Sequence, residues 1–100
     1  MIVGSILHGA YGDYYEQIVG LRWLSKNNPS WRFALFFSSE SRMHEMRVFD
    51  FGMECRLFPV SALESERVDL FFQYQVRDPE LRNDVLAHLS PSLIKKIRPE

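Results

Sequence analysis

The chain has 100 residues, of which 46% are hydrophobic and 14% are aromatic. This length supports one compact domain with its own core and is too short for two. Twelve Lys and Arg against thirteen Asp and Glu give a formal net charge of −1, so the chain lacks the overall positive field that draws a protein onto nucleic acid or anionic lipid. We therefore expect a single domain over residues 1–100 with neither of these as its partner.

The single cysteine and the amino terminus bear on the cell compartment. Cys55 has no second cysteine to pair with, which is typical of a reducing compartment, and we expect no catalytic role for it. Residues 1–7 are apolar, but they lack a basic leading segment and are interrupted by Gly4 and Ser5, so they fit neither a signal peptide nor a membrane span. The sequence predicts cytoplasmic residence.

The first part of the chain predicts a strand, a helix and a second strand. The mostly apolar run Ile2–Leu7 ends at a glycine-containing turn, as a central parallel strand does. Residues 12–26 carry apolar side chains at spacings of three and four, which predicts a helix with one buried stripe, and Asp13 and Lys26 complement the helix dipole at its two ends. The stripe comprises Tyr15, Ile18, Val19, Leu21 and Leu24. Residues 31–38 are almost continuously apolar and predict a second buried strand.

The middle of the chain predicts a short helix and an edge strand. Ser39 or Ser41 can cap the helix, and Gly52 is placed to end it. The buried face of this helix would comprise Met43, Met46 and Phe49. Residues 53–58 alternate in polarity, which is typical of a strand at the edge of a sheet, and Pro59 ends the run.

The last part of the chain predicts a helical turn, a fourth strand and two further helices. Ser61 with Glu64 three residues later forms a capping-box pattern for a turn at residues 62–66. Residues 68–76 alternate in polarity and predict the strand. Two typical helix starts follow it, Asp78-Pro79-Glu80 and Ser90-Pro91.

These elements predict an α/β fold. Strands separated by helical segments pair in parallel through right-handed crossovers, and the expected order is third, second, first, fourth. The result is a three-layer, Rossmann-like open parallel sheet of about four strands, with helices on both faces. The first strand is then central, and the turn at its carboxyl end lies at the switch point where open parallel sheets place ligands. In a four-stranded sheet the fourth strand, from Val68 to Val76, would be an uncovered apolar edge, open to a second copy or to a missing domain.

The turn after the first strand is the candidate site, and we call it the glycine turn. It comprises His8, Gly9, Ala10, Tyr11, Gly12 and Asp13. Its glycines let the backbone approach a ligand closely, and the helix that follows points unpaired N–H groups into it. We therefore expect the turn to receive a phosphate or sugar-phosphate oxygen. Ser38 and Ser39 end the second strand at the same sheet edge, where their hydroxyls either line the cleft or cap the next helix.

The spacing within the glycine turn argues against nucleotide cofactors. A dinucleotide fingerprint needs three glycines and an acid about 20 residues further on, whereas this turn has only Gly9 and Gly12, and Glu40 lies too far along the chain. No Lys-Ser or Lys-Thr pair follows the glycines, which excludes a phosphate-binding P-loop. His44 and Glu45 have no partner at metal-ligand spacing. The sequence predicts neither a cofactor nor a metal.

Three features in order resemble the start of heptosyltransferase-like glycosyltransferases. They are the glycine turn, the Leu21-Arg22-Trp23-Leu24 run in the first helix, and Asn28-Pro29 before an apolar strand. The resemblance covers the first third of the chain and implies two Rossmann-like domains, with Asp13 as the general base that deprotonates an acceptor hydroxyl. The sequence departs from the family pattern at Tyr14, Tyr15 and Glu16, where smaller aliphatic residues are usual. The donor-binding second domain is absent from these residues.

Several of these residues also have plain structural interpretations. Asp13 is equally a helix-start acid that contributes up to about 1 kcal/mol through the dipole. Glu16, one turn further along, is either a second carboxylate of the site or a solvated helix residue, and His8 either binds a ligand or hydrogen-bonds the turn. Tyr11 either stacks on a sugar ring or covers the loop. Trp23 is most simply a packing residue, as is Trp31, and three arginines look scattered rather than grouped as a phosphate clamp: Arg42, Arg47 and Arg56.

The sequence therefore favours one function and leaves a second open. The first is the acceptor-side, amino-terminal domain of a glycosyltransferase-like protein, which we expect to be inactive in isolation. The alternative is a stand-alone, non-catalytic α/β module that acts through self-association or through binding another chain. The glycine turn carries the first hypothesis, and the apolar fourth strand carries the second.

Overall fold

The computed structural model describes residues 1–72. Two predicted features lie outside these residues: the end of the fourth strand and the two helices after residue 77. The described elements are β1 (Ile2–Leu7), α1 (Tyr11–Asn27), β2 (Arg32–Phe37), α2 (Glu40–Met46), β3 (Cys55–Pro59), a 3₁₀ turn (Val60–Ala62) and β4 (Leu70–Phe71).

The four strands form one parallel sheet in the order β3-β2-β1-β4. β1 lies between β2 and β4, with Val3 beside Phe33 on one side and beside Leu70 on the other. β3 pairs with the far side of β2. The predicted open α/β sheet and its strand order are confirmed, and the glycine turn therefore follows the carboxyl end of a central strand.

The two described α-helices pack against the same face of the sheet. The steps from β1 to β2 and from β2 to β3 run in one direction, and right-handed crossovers in one direction leave their helices on one side. The core on this side joins strand residues to both helices, and it comprises Val3, Leu7, Tyr14, Ile18, Leu21, Phe33, Leu35, Phe37, Met43, Met46 and Phe51. Within residues 1–72, the 3₁₀ turn and the segment up to Val68 cover the other face, with Leu63 and Val68 packed on Ile6 and Phe36.

Helix α1 buries only part of the stripe that the apolar spacing predicts. Tyr14 and Gln17 are buried with Ile18 and Leu21, whereas Tyr15 and Val19 are 48% and 61% exposed. The prediction of Tyr15 and Val19 as core residues is therefore wrong. Tyr14 occupies the buried position because its ring stacks on that of Phe37, with centroids 5.8 Å apart. Trp23, 64% exposed, is likewise not the packing residue that the sequence predicts.

The boundaries around α2 also differ from the prediction. Ser39 caps the helix, since its Oγ accepts the Arg42 N–H at 3.4 Å, but the helix ends at Met46, well before Gly52. Gly52 instead has a positive φ of 68° in the turn before β3, where it donates its N–H to the Asp50 carboxylate at 2.9 Å. Gly52 therefore shapes the turn into β3 and does not end α2.

The short helical segment after β3 begins earlier than the capping-box pattern predicts. Its first residue is Val60, directly after Pro59, and the Leu63 N–H bonds to the Val60 carbonyl at 3.1 Å. Ser61 thus lies inside the segment and does not cap it. Leu63, at its end, is buried against the sheet. No helix within residues 1–72 is long and apolar enough to cross a membrane.

Candidate functional site

The conformation of the glycine turn depends on Gly9 and Asp13. Gly9 has a φ of +92°, which L-residues with a Cβ rarely adopt. A Cβ built on Gly9 would lie 2.5 Å from Asp13 Oδ2. That same oxygen accepts the Ala10 N–H at 2.8 Å, so Asp13 closes the turn that leads into α1.

The Gln17 side chain forms hydrogen bonds to both ends of the glycine turn. Its Nε2 donates to the His8 carbonyl at 3.0 Å and to the Asp13 carbonyl at 2.8 Å, which ties the end of β1 to the first turn of α1. The Gln17 side chain is buried, and its Oε1 has no hydrogen-bond partner among the described residues. Sequence reasoning missed this residue because the apolar spacing of α1 leaves a polar side chain on the solvent side. The two backbone acceptors offset the cost of burying the Nε2 group.

His8 is a buried ionisable group at the edge of the sheet. It exposes only 6% of its surface, and its Nε2 is buried without a hydrogen-bond partner within residues 1–72. Burial lowers the pKa of His8 below its usual value, and the nearby Asp13 carboxylate opposes this shift. The imidazole is therefore neutral over a wider pH range than a solvated histidine, and the burial of its Nε2 is not offset by a hydrogen bond from any described residue.

Arg42 lies over the glycine turn, although sequence reasoning did not assign it to the site. The central carbon of its guanidinium is 4.3 Å from the centroid of the Tyr11 ring and 5.3 Å from that of Tyr14. Its Nη1 is buried and has no hydrogen-bond partner among residues 1–72. One signal in the sequence indicates this position: Arg42 follows the capping Ser39 by three residues, so it belongs to the first turn of a helix that starts at the same sheet edge as the glycine turn.

The serines after β2 mainly form hydrogen bonds to backbone groups beside the site. Ser38 is exposed and donates its hydroxyl to the Leu7 carbonyl at 3.3 Å, while Ser39 caps α2 and lies 3.1 Å from the Ser41 hydroxyl. Burial raises the pKa of the Tyr14 hydroxyl, and the neighbouring Ser38 hydroxyl and Arg42 guanidinium oppose this. Ser38 therefore lies at the rim of the site.

The other predicted site residues fall into two groups. Tyr11 and Asp13 are exposed at the start of α1, where a ligand can reach them. A Cβ built on Gly12 would have no other atom within 4 Å, so this position is open as well. Glu16 is exposed on the following turn of α1. The structure thus groups the glycine turn with Ser38, Ser39 and Arg42.

The backbone of the glycine turn adds hydrogen-bond donors to this group. The Asp13 and Tyr14 amides bond back to the Ala10 carbonyl at 3.0 and 3.1 Å. The Tyr11 and Gly12 amides occupy the first helical positions, whose N–H groups have no partner inside a helix. Together with Arg42 they offer donors to an anion, whereas Asp13 offers a carboxylate to a hydroxyl. No three His, Cys, Asp or Glu side chains of the described part are grouped to hold a metal ion.

A separate cleft of about 160 Å³ lies near the amino ends of β1, β2 and β3, away from the glycine turn. Arg32 and Glu54 on its wall form an exposed ion pair at 3.5 Å. Cys55 also lines it, and burial raises the pKa of its thiol. The thiol therefore stays protonated at neutral pH and is a poor nucleophile.

Comparisons of the chain with protein-family models, with curated proteins and with solved structures find no match. The glycine turn and the side chains grouped around it are therefore the features that indicate a function.

Proposed function

We propose that this chain is the acceptor-side domain of a glycosyltransferase-like protein and that it binds a phosphorylated sugar at the carboxyl ends of β1 and β2. The observation that carries the proposal is the position of Arg42 over Tyr11, with a buried guanidinium nitrogen that has no partner among the described residues. A guanidinium with a free N–H is a preferred partner of phosphate oxygens. The single Cys55, which has no second cysteine to pair with in this sequence, favours a reducing compartment such as the cytoplasm.

The ligand must satisfy two groups of opposite charge. Arg42 and the Tyr11 and Gly12 amides favour an anion, whereas the Asp13 carboxylate repels an anion and accepts a hydrogen bond from a hydroxyl. A sugar phosphate meets both requirements, since its phosphate can lie at Arg42 while a ring hydroxyl lies at Asp13. A free phosphate satisfies only the first group, and a neutral sugar satisfies only the second.

Asp13 is suited to act as the general base in this arrangement. One of its oxygens is held by the Ala10 N–H, which fixes the orientation of the carboxylate. The side chain remains exposed, so a hydroxyl can approach it and give up its proton. The hydroxyl oxygen then bonds to the anomeric carbon of a sugar-nucleotide donor, and the bond from that carbon to the nucleoside diphosphate breaks so that the nucleotide leaves. The neutral imidazole of His8 is a further hydrogen-bond partner for the sugar.

Binding is tested by titrating the folded protein with a hexose phosphate, with the unphosphorylated hexose and with inorganic phosphate, while following the backbone amide resonances of Gly9 to Asp13. We expect the hexose phosphate to bind most tightly and to shift these amides. The Arg42→Gln variant should bind at least about tenfold more weakly, because it loses a charged hydrogen bond. Arg47→Gln, the same change on an exposed residue just past the end of α2, is the matched control and should bind normally. Unshifted amides in folded protein, or equal effects of the two substitutions, would contradict the site.

The role of Asp13 is tested separately with Asp13→Asn. This variant keeps an oxygen to accept the Ala10 N–H, so the turn and hexose-phosphate binding should persist. In the two-domain protein that this proposal implies, Asp13→Asn should abolish transfer from a sugar-nucleotide donor to the bound acceptor. Retained transfer would exclude Asp13 as the base, but it would not contradict the proposed binding of the sugar phosphate.

A further inference from the structure

Helix α1 carries a second apolar surface on the side away from its buried stripe. Tyr15, Val19 and Trp23 lie four residues apart and therefore form one row along the helix. All three are strongly exposed, and we call them the outer row. The ring of Tyr15 also contacts that of Phe49, with centroids 5.4 Å apart. Large apolar side chains grouped on a surface usually mark an interaction site.

The charges beside the outer row indicate what covers it. Glu16 lies near the amino end of the row and Lys26 near its carboxyl end, and both are exposed. A second α1 in the opposite direction brings each Glu16 to Lys26 of the partner subunit and also aligns the two helix dipoles favourably. A second α1 in the same direction would instead face Glu16 with a like charge.

We propose that the outer row of α1 is a homodimer interface in which two copies of α1 pack antiparallel about a two-fold axis at the level of residue 21. In this register Val19 packs against Trp23 of the partner subunit. The same register places Glu16 against Lys26 of the partner subunit, because both pairs are symmetric about residue 21. One arrangement thus satisfies the apolar and the charged residues together, as a self-complementary interface requires.

The interface is tested by sedimentation equilibrium of the full chain from low micromolar to submillimolar concentration. We expect a monomer–dimer equilibrium that Val19→Glu weakens by at least about tenfold, since the new carboxylate would be buried against an indole. Val48→Glu is the matched control, because Val48 is 93% exposed and lies off the row. Glutamate has a higher helix propensity than valine, so Val19→Glu should leave the fold intact, which circular dichroism checks. A monomer at every concentration, or equal effects of the two substitutions, would overturn the proposal.

The antiparallel direction is tested by exchanging the charges. Glu16→Lys and Lys26→Glu should each weaken the dimer by about fivefold, since each places like charges together at two symmetric positions. The double variant should recover the affinity of the original protein. Failure to recover it would exclude this register.

Discussion

At the scale of single residues, the glycine turn combines constraints that only certain side chains satisfy. Gly9 supplies a left-handed backbone, Asp13 closes the turn through the Ala10 amide, and Gln17 holds both ends from below. The sequence indicated a glycine turn at Gly9 and an acid at the start of α1 because turn chemistry is local, whereas Gly12 lies within the helix. The sequence did not predict Gln17, whose burial depends on the carbonyls that the folded turn presents.

Gly9 can be tested against the second glycine of the same turn. Gly9→Ala should lower the free energy of unfolding by about 2 kcal/mol, because alanine is strained at positive φ and its Cβ would displace the Asp13 carboxylate. Gly12→Ala should raise the free energy of unfolding by about 0.5–1 kcal/mol, since Gly12 is helical and has open space around it. Urea unfolding of the two variants measures both effects. A similar change in both would show that the backbone of Gly9 is not constrained.

His8 should make stability depend on pH. Its pKa in the folded protein is lowered by burial from the usual 6.5, so the unfolded chain takes up a proton at a pH where the folded protein does not. The contribution to stability is therefore complete above about pH 6.5 and decreases as the pH falls from there toward the folded pKa. Urea unfolding across this window should show a decline in the original protein that His8→Gln reduces. A decline that is unchanged in His8→Gln would contradict this account.

At the scale of elements, the packing of β1 against the segment before β4 requires a residue without a side chain at position 4, which is Gly4. A Cβ on Gly4 would lie 2.8 Å from Val68 Cγ1 and 3.0 Å from Phe71 Cε1. The close approach lets Val68 and Phe71 complete the core on the second face of the sheet. The Asp69 carboxylate adds a link across the same junction by accepting the Ile2 N–H at 2.8 Å.

This packing predicts a specific coupling between two positions. Gly4→Ala should cost about 1–3 kcal/mol of unfolding free energy through overpacking. Val68→Ala should also destabilise, because it removes buried methyl groups. The double variant should be more stable than the sum of the two effects by about 0.5–2 kcal/mol, since the smaller side chain makes room for the new methyl group. A double-mutant cycle in urea measures this difference, and additive effects would contradict the close contact.

Helix α1 shows how far periodicity predicts an element. The apolar spacing predicted the helix and its ends to within one residue, but the buried stripe is centred on Tyr14, Ile18 and Leu21. By their apolar character and their spacing of four residues, Tyr15, Val19 and Trp23 could equally have formed the buried row. Only the position of the β2 side chains, with Phe37 under Tyr14, decides which apolar row faces the sheet and which remains for the proposed dimer interface.

At the scale of the whole molecule, the sheet should divide into a stable centre and a weaker edge. β1 is paired on both sides by β2 and β4, and β2 is paired by β1 and β3. The side chains of β1 and β2 are almost all buried, whereas those of β3 are only half-buried. The centre of the sheet therefore lies directly behind the glycine turn.

Amide hydrogen exchange should reveal this difference. We expect the amides of β1 and β2 to exchange most slowly, near the rate of global unfolding, because breaking them requires opening the core. The amides of β3 should exchange faster through local opening. Equal protection of β3 and β1 would show that the edge strand is held as firmly as the centre.

The sequence by itself determined the strands, the first helix, the order of the sheet and the place of the glycine turn. Apolar runs, turn residues and the handedness of crossovers act over short stretches of chain and need no further information. The tertiary structure alone decided that Arg42 lies over Tyr11 and that α1 exposes Tyr15, Val19 and Trp23. These features depend on contacts between side chains far apart in the sequence, whose distances are set only when the elements pack together.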